Sequence, residues 1–313
     1  MANHYTVADV EKAAKNIRKH VLKLTLERNG CYLSQACSSA ELFATLYLRV
    51  LNLSESKAPR LPGKFPGTPS KDNMDYIQGA EYHGSLKAPY DRFFISPAHY
   101  AAPVYAALIE ADRLDEAALE MFNRDGYSME MIGANHTPGF ENAAGTLDQA
   151  ISVAGGTAHA RKLRDEEGRV FVMMSDGEME EGQLWEAIQA AVFYQLDNLV
   201  LIVDINGQQV EGETKKVMNI EPLEDRFTAF GAKAVSVNGH DIEAIEEAAK
   251  QGEKNKPLVI LCYTDPTQGI PYLNERRPIL HFVRLKEGEE FDKYTKFYND
   301  CLLYTSDAAD DLI

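Results

Sequence analysis

The sequence predicts a doubly wound α/β fold built on a mostly parallel sheet, and three observations carry that prediction. From Arg169 onward, short apolar runs alternate with helical stretches of a length that implies βαβ units. The runs "RVFVMMS", "NLVLIVD", "AKAVSV" and "PLVILCYT" read as strands, the first of them buried. Polar residues gather where two of them end, at Asp176 and Asn206. Open α/β sheets bind ligands outside the carboxyl ends of their strands.

The elements follow in chain order. Residues from Val7 to about Glu27, and Ser38 to Leu51, show helical periodicity. The Pro/Gly/Lys/Ser-rich stretch between Asn52 and Tyr90 has no period, and so long a loop is functional or interfacial rather than a linker. A helix begins after "FFISPAHYAAP", with Pro103 near its first turn. "GTLDQAISVAGGTAHARKL" is a further helix, whose Gly155-Gly156 pair suggests close packing on a neighbour. Between the strands lie helices at Glu180 to Tyr194, at "PLEDRFTAFG" ending on Gly231, and at "DIEAIEEAAKQG" capped by Gly252. The tail "CLLYTSDAADDLI" differs in kind and resembles the translation of a transposon-end adapter used in DNA sequencing libraries. Residues 1–300 are therefore expected to form one domain, with 301–313 a non-native tail.

Composition narrows the partners. A net charge of −16 argues against nucleic acid or an anionic membrane surface. No apolar run approaches the roughly 20 residues of a transmembrane helix, and the first twenty or so residues lack a secretory apolar region. Cys31, Cys37, Cys262 and Cys301 form no metal-ligand spacing, as expected for reduced thiols in a cytoplasmic protein.

The chemistry gathers in "SDGEMEEGQLWEA", which holds four carboxylates from Asp176 to Glu181, and in "DINGQQVEG". One βαβ crossover separates them, so Asp176 and Asn206 can converge. A carboxylate, an amide and a nearby backbone carbonyl make an oxygen-only set suited to Mg²⁺ or Ca²⁺. Gly177 leaves room for a diphosphate, and the following helix N-terminus offers N–H donors. An acidic helix start with an Asx turn is the competing structural reading.

The string "SDGEMEEGQLWEAIQAAVFYQLDNLVLIVDINGQQVEG" resembles the diphosphate-binding domain of transketolases. "FFISPAHYAAPVYAALIEADRL" is similar to that family's Ser-x-Gly-His segment, with Ala98 where Gly is usual. "HTPGFENAAGTLDQAISVAGGTAHA" resembles its Pro-Gly-x-Glu…Gly-x-Leu-Gly-Gln-Gly segment, and the likeness runs from about Val7 to Val283. The resemblance implies thiamine diphosphate held through Mg²⁺, with Ca²⁺ or Mn²⁺ as substitutes. Asp176 and Asn206 match the metal ligands, with the carbonyl of Gln208 as the third. Gly177 matches the N–H donor to the diphosphate, and Glu178 falls in the same cofactor segment while also suiting, with Glu180, the first turn of a helix. Gly145, Thr146 and Leu147 match the loop against the aminopyrimidine. His99 matches an active-site histidine near the diphosphate, and His281 a later one. Glu181 and Glu186 match acidic positions facing a partner subunit, and His99 and Glu181 are the catalytic candidates.

Departures from the family pattern bear on the substrate side. Cys31 stands where the family has a substrate-contacting histidine, Asp148 replaces a glycine beside the cofactor loop, and "MIGANHTPG" offers only His136. His240 reads as a turn residue. The family's activating glutamate belongs to a separate pyrimidine-binding domain, to which nothing here corresponds. The implied function is half of a transketolase, moving a two-carbon ketol unit from a ketose (phosphate) to an aldose (phosphate). A pyrimidine-binding domain or subunit of the same enzyme, supplied by a partner polypeptide or by a further C-terminal portion, would complete it as a homodimer or heterotetramer. The alternatives are a thiamine enzyme acting on 2-oxo acids and a non-catalytic cofactor-binding subunit.

Overall fold

A computed structural model describes the backbone of residues 5–310 and the side chains of residues 5–300. Helix α1 (Val7–Glu27) starts at a capping box, in which Thr6 accepts from Asp9 N while the Asp9 carboxylate accepts from Thr6 N. It buries Val10, Ile17, Val21 and Leu24 against α2 (Leu33–Thr45), which widens into a π turn over Leu46–Val50. After the aperiodic segment come β1 (Arg92–Ile95), α3 (Ala101–Glu110), α4 (Ala150–Leu163), β2 (Val170–Ser175), α5 (Gly182–Phe193) and β3 (Leu199–Ile205). A small hairpin, β4 (Gln208–Gln209) with β5 (Gly212–Glu213), leads through α6 (Thr214–Val217) into α7 (Leu223–Phe230) and β6 (Lys233–Asn238). Then follow α8 (Ile242–Ala248), β7 (Leu258–Tyr263) and α9 (Glu289–Asp310).

The main sheet has the order β1-β2-β3-β7-β6, and every pairing is parallel. Successive strand residues alternate between two cores. Phe93, Phe171, Met173, Val200, Ile202 and Ile260 face α1, α2, α3 and α8. Phe94, Val172, Met174, Leu201, Val203 and Leu261 face α4, α5 and α7. Both faces are thus covered, which is why the strands read as continuous apolar runs. The doubly wound fold stands as the sequence predicted.

Several boundaries move. The strand β1 lies inside "RFFIS", where the sequence reading saw only the approach to a helix; four residues are too few to show a period. The helix expected from Gly145 begins at Ala150, because Asp148 takes a left-handed φ of +68° and breaks the turn. The helix expected from Glu180 is split: a 3₁₀ turn over Asp176–Glu180 ends at an extended Glu181, and α5 starts at Gly182. Gly231 does cap α7, with φ +101°. Gly252 does not cap α8, which ends at Ala248; its fixed end is the start, where Asp241 accepts from Ala244 N. A β-carbon at Gly155 or Gly156 would meet nothing within 4 Å, so the pair packs on no neighbour within the described residues. Of the tail, residues 301–310 continue the backbone of α9, their side chains lie outside the described residues, and 311–313 lie outside them altogether.

Among the described residues, no helix is long and apolar enough to cross a membrane. Cys31, Cys37 and Cys262 are buried free thiols.

Candidate functional site

The register pairs Ser175 of β2 with Asp204 of β3, which puts the two polar strand ends side by side. Their juncture opens into a cavity of about 430 Å³, within the usual range for small-ligand sites. Asp176, the first residue past β2, is 2% exposed. Its Oδ2 accepts from Gly207 N at 3.0 Å and Thr214 Oγ1 at 2.9 Å, and its Oδ1 from Gly177 N at 3.1 Å. All three donors are neutral. Burial, and then repulsion from Asp204, push its carboxyl up to about 7.

Asn206 follows the end of β3 as an Asx turn, with Oδ1 accepting from Gln208 N at 2.9 Å. Gly207 has φ +67°, the left-handed bend that turns the chain into the β4–β5 hairpin. Asn206, Gln208, Gln209 and Gly177 all line the cavity, and a β-carbon on Gly177 would come within 3.6 Å of Gln209 Cβ. The backbone there is open to close approach.

The far wall is aromatic. His99 lies with its ring centroid 5.2 Å from Tyr32 and 4.8 Å from His281. Burial and the neighbouring His281 lower His99 to about 3, so it is neutral at physiological pH. Burial lowers His281 as well. Gln35 Nε2 lies 3.3 Å from His281 Nδ1; with the amide as donor, the His281 proton sits on Nε2. Two backbone hydrogen bonds between Cys31 and Val283 hold this histidine's segment against α2.

Of the other sequence candidates, Gly145, Leu147 and Glu181 line the cavity, whereas Thr146 is exposed and outside its lining. Glu178 is fully buried behind it, accepting from Ser96 Oγ at 2.5 Å, Asp148 N at 3.0 Å and Ser175 N at 2.9 Å. Burial pushes Glu178 up to about 7. Glu186 is exposed on α5. Cys31 has no exposed surface and does not reach the cavity, and burial raises its thiol to about 12. His136 stacks on Phe65 with centroids 4.2 Å apart, away from the cavity lining. His240 is the turn residue expected, and its Nδ1 donates to Glu41 at 2.9 Å while its Nε2 accepts from Asp265 N.

Sequence reading missed Tyr32, Gln35 and Tyr100, which line the cavity, and Thr214, which holds Asp176. Tyr32 and Gln35 sit in the very stretch that departs from the family pattern, and no spacing marks them. Tyr100 follows His99 directly and was legible only as a helix-start residue.

Among the described residues no group of three His, Cys, Asp or Glu side chains could hold a metal. The oxygens gathered here are of another kind: one carboxylate with only neutral partners, an amide and backbone carbonyls. Gln208 Oε1, Gln209 Oε1 and Glu180 Oε1 are buried without a hydrogen-bond partner. No Lys or Arg lines the cavity, so an anionic ligand would have its charge met by a bound cation. This hard-oxygen set fits Mg²⁺. A larger groove of about 1260 Å³, between α1, α8 and the Gln268–Ile270 turn, includes neither the β2 nor the β3 end.

Fold and site together define an α/β domain with an open cavity where two central parallel strands end. The family model described as "Transketolase, thiamine diphosphate binding domain" matches residues 87–289, and the chain belongs to the transketolase family. It is 35% identical over 280 residues to a putative uncharacterized transketolase family protein of Sinorhizobium fredii, covering 88% of this chain and 90% of that protein. It is 30% identical to an apulose-4-phosphate transketolase subunit of Actinobacillus succinogenes, covering 91% of this chain and 94% of that protein. Among solved structures, transketolase from Campylobacter jejuni superposes with a TM-score of 0.73 at 23% identity, covering 94% of this chain but 43% of that one. That likeness shows the fold alone.

Proposed function

We propose that this chain is the diphosphate-binding half of a transketolase, holding thiamine diphosphate through Mg²⁺ at the β2 and β3 ends. The observation that carries the reading is a buried Asp176 with only neutral partners, hydrogen-bonded to Gly177 N and Gly207 N beside a cavity wall that includes Gly177, Asn206 and Gln208. Asp176, the Asn206 amide oxygen and the Gln208 carbonyl would hold the metal. Gly177 N–H and the open backbone around it would take the diphosphate. Thiamine diphosphate, when bound, supplies the carbon chemistry for carrying a two-carbon unit between carbonyl compounds. The chain's own part is to bind, orient and shield. Gly145 and Leu147 wall the cavity on one side, and Tyr32 with Ile132 exclude water on another. His99 and His281, both neutral, offer hydrogen bonds at the cavity face without bringing in a charge.

Relatives named as transketolase subunits match over nearly their whole length, which supports a two-part enzyme in which a separate subunit brings the pyrimidine side. The open glycines of α4 and the exposed Leu163 and Phe193 provide an apolar surface for such a partner. The names of those relatives point to a ketose phosphate or a similarly substituted ketose as the donor. Equilibrium dialysis of thiamine diphosphate with Mg²⁺ tests the reading. Retention by the wild-type chain and its loss in Asn206→Ala are expected, and equal retention by both would refute the assigned site.

A further inference from the structure

Asp204 is absent from the cavity wall yet has no exposed surface. It is the last acidic residue of β3, and its carboxylate is surrounded by neutral groups. Oδ2 accepts from Ser38 Oγ at 2.5 Å, from Tyr100 Oη at 2.8 Å and from Asn206 Nδ2 at 3.2 Å. Oδ1 accepts from Thr264 Oγ1 at 2.5 Å. Burying a carboxylate without a cation is costly, and an apolar or amide side chain would serve packing alone. Something else accounts for the charge.

The neighbouring amide supplies the reason. An asparagine side chain can present either its oxygen or its nitrogen to one side, and its surroundings decide. A carboxylate only accepts, so it claims Nδ2 of Asn206. Tyr100 Oη accepts from the same nitrogen at 3.2 Å while donating to Asp204. With both amide protons engaged on that side, Oδ1 is forced to the other, where it accepts from Gln208 N beside the cavity. The β2–β3 register also sets Asp204 beside the strand end that carries Asp176, so a cation there would feel two fixed negative charges rather than one.

We propose that Asp204 is a positioning residue for the metal, holding the Asn206 oxygen toward the cavity and adding a second negative charge behind the ion. The inference rests on the metal site proposed above. It ties metal affinity to side chains that touch no ligand: Ser38 on α2, Tyr100 beside His99, and Thr264 just past β7. Partners of this kind are typically worth about 10–100-fold in metal affinity.

The test uses the full-length chain, Mn²⁺ with thiamine diphosphate, and the electron paramagnetic resonance signal of free Mn²⁺. Asp204→Asn keeps the shape and removes the charge, and the surrounding hydroxyls can rotate to satisfy the new amide. It is expected to weaken Mn²⁺ retention by about 10–100-fold while circular dichroism and metal-free melting stay at wild-type values. Tyr100→Phe, which keeps the charge and removes one hold on the amide, is expected to weaken retention by a smaller factor. Wild-type retention in Asp204→Asn would overturn the proposal. If that variant does not fold, wild-type retention in Tyr100→Phe would overturn it. Should the wild-type chain itself fail to retain Mn²⁺, the metal site fails and takes this inference with it, a result visible before any variant is compared.

Discussion

Replacing Asp148 with asparagine should stabilise the protein, and should do so most at alkaline pH. Asp148 has no exposed surface, neither of its carboxyl oxygens has a hydrogen-bond partner, and its φ is +68°. Burial, and then repulsion from Glu178, raise its carboxyl from the ordinary 3.8 to about 8. Because the native value lies above the unfolded one, the native state holds the extra proton between those limits. The stability tied to that proton is complete below about pH 4 and is lost as pH rises through about 8. A displacement of that size corresponds to roughly 5–6 kcal/mol against the ionised form. Relaxation of the loop and entry of water reduce this, leaving an expected gain of about 2–3 kcal/mol for Asp148→Asn above pH 8. Near pH 5 the native carboxyl is already neutral, and the gain should shrink to about 1 kcal/mol or less. Urea unfolding of both proteins at about pH 5 and about pH 8.5 measures the difference. Equal stabilities at the higher pH would refute an unpaired, buried carboxyl beside the loop of Gly145 to Leu147.

Other predictions follow from the same structure. Glu141 has a fully buried side chain that accepts from His83 Nδ1, Arg92 Nε and Phe93 N, and these partners hold its carboxyl below the usual range despite burial. Glu141→Ala should therefore cost about 3–5 kcal/mol by stranding the buried His83 and Phe93 N–H and the half-buried Arg92 guanidinium, read from urea unfolding. Phe193 is 76% exposed at the end of α5; Phe193→Glu should leave stability within about 0.5 kcal/mol and weaken association with a co-produced partner subunit in size-exclusion chromatography. Burial raises Cys31 and Cys37 to about 12 and raises Cys262 as well. These three thiols should stay unreactive toward a disulfide reagent in the native protein and react on unfolding, as counted by absorbance.

How much of this was legible in the sequence depends on the kind of interaction. The strands β2, β3 and β7 announced themselves because burial on both faces demands unbroken apolar runs, and residues such as Val172 and Leu201 could serve nowhere else. The approach of Asp176 to the Asn206–Gly207 turn was legible because one crossover separates two parallel neighbours. Local capping was only half legible: Gly231 showed its role, but Gly252 did not act as a cap, since α8 already ends at Ala248. Long-range side-chain partnerships left no signal at all. Ser38, Tyr100 and Thr264 come from three distant elements and meet only at Asp204, and no spacing in one chain records that. Asp148 was visible as a departure from a glycine; its left-handed backbone explains why a glycine suits that position, and its burial explains why an acid there has consequences.

A divalent cation and thiamine diphosphate are proposed to sit together between the β2 and β3 ends. A crystal of the chain grown with thiamine diphosphate and Mn²⁺, with data collected at the manganese edge, tests it most directly. One anomalous peak within coordination distance of Asp176, the Asn206 amide oxygen and the Gln208 carbonyl is predicted. A peak at any other site, with cofactor density present and these three groups uncoordinated, would contradict it.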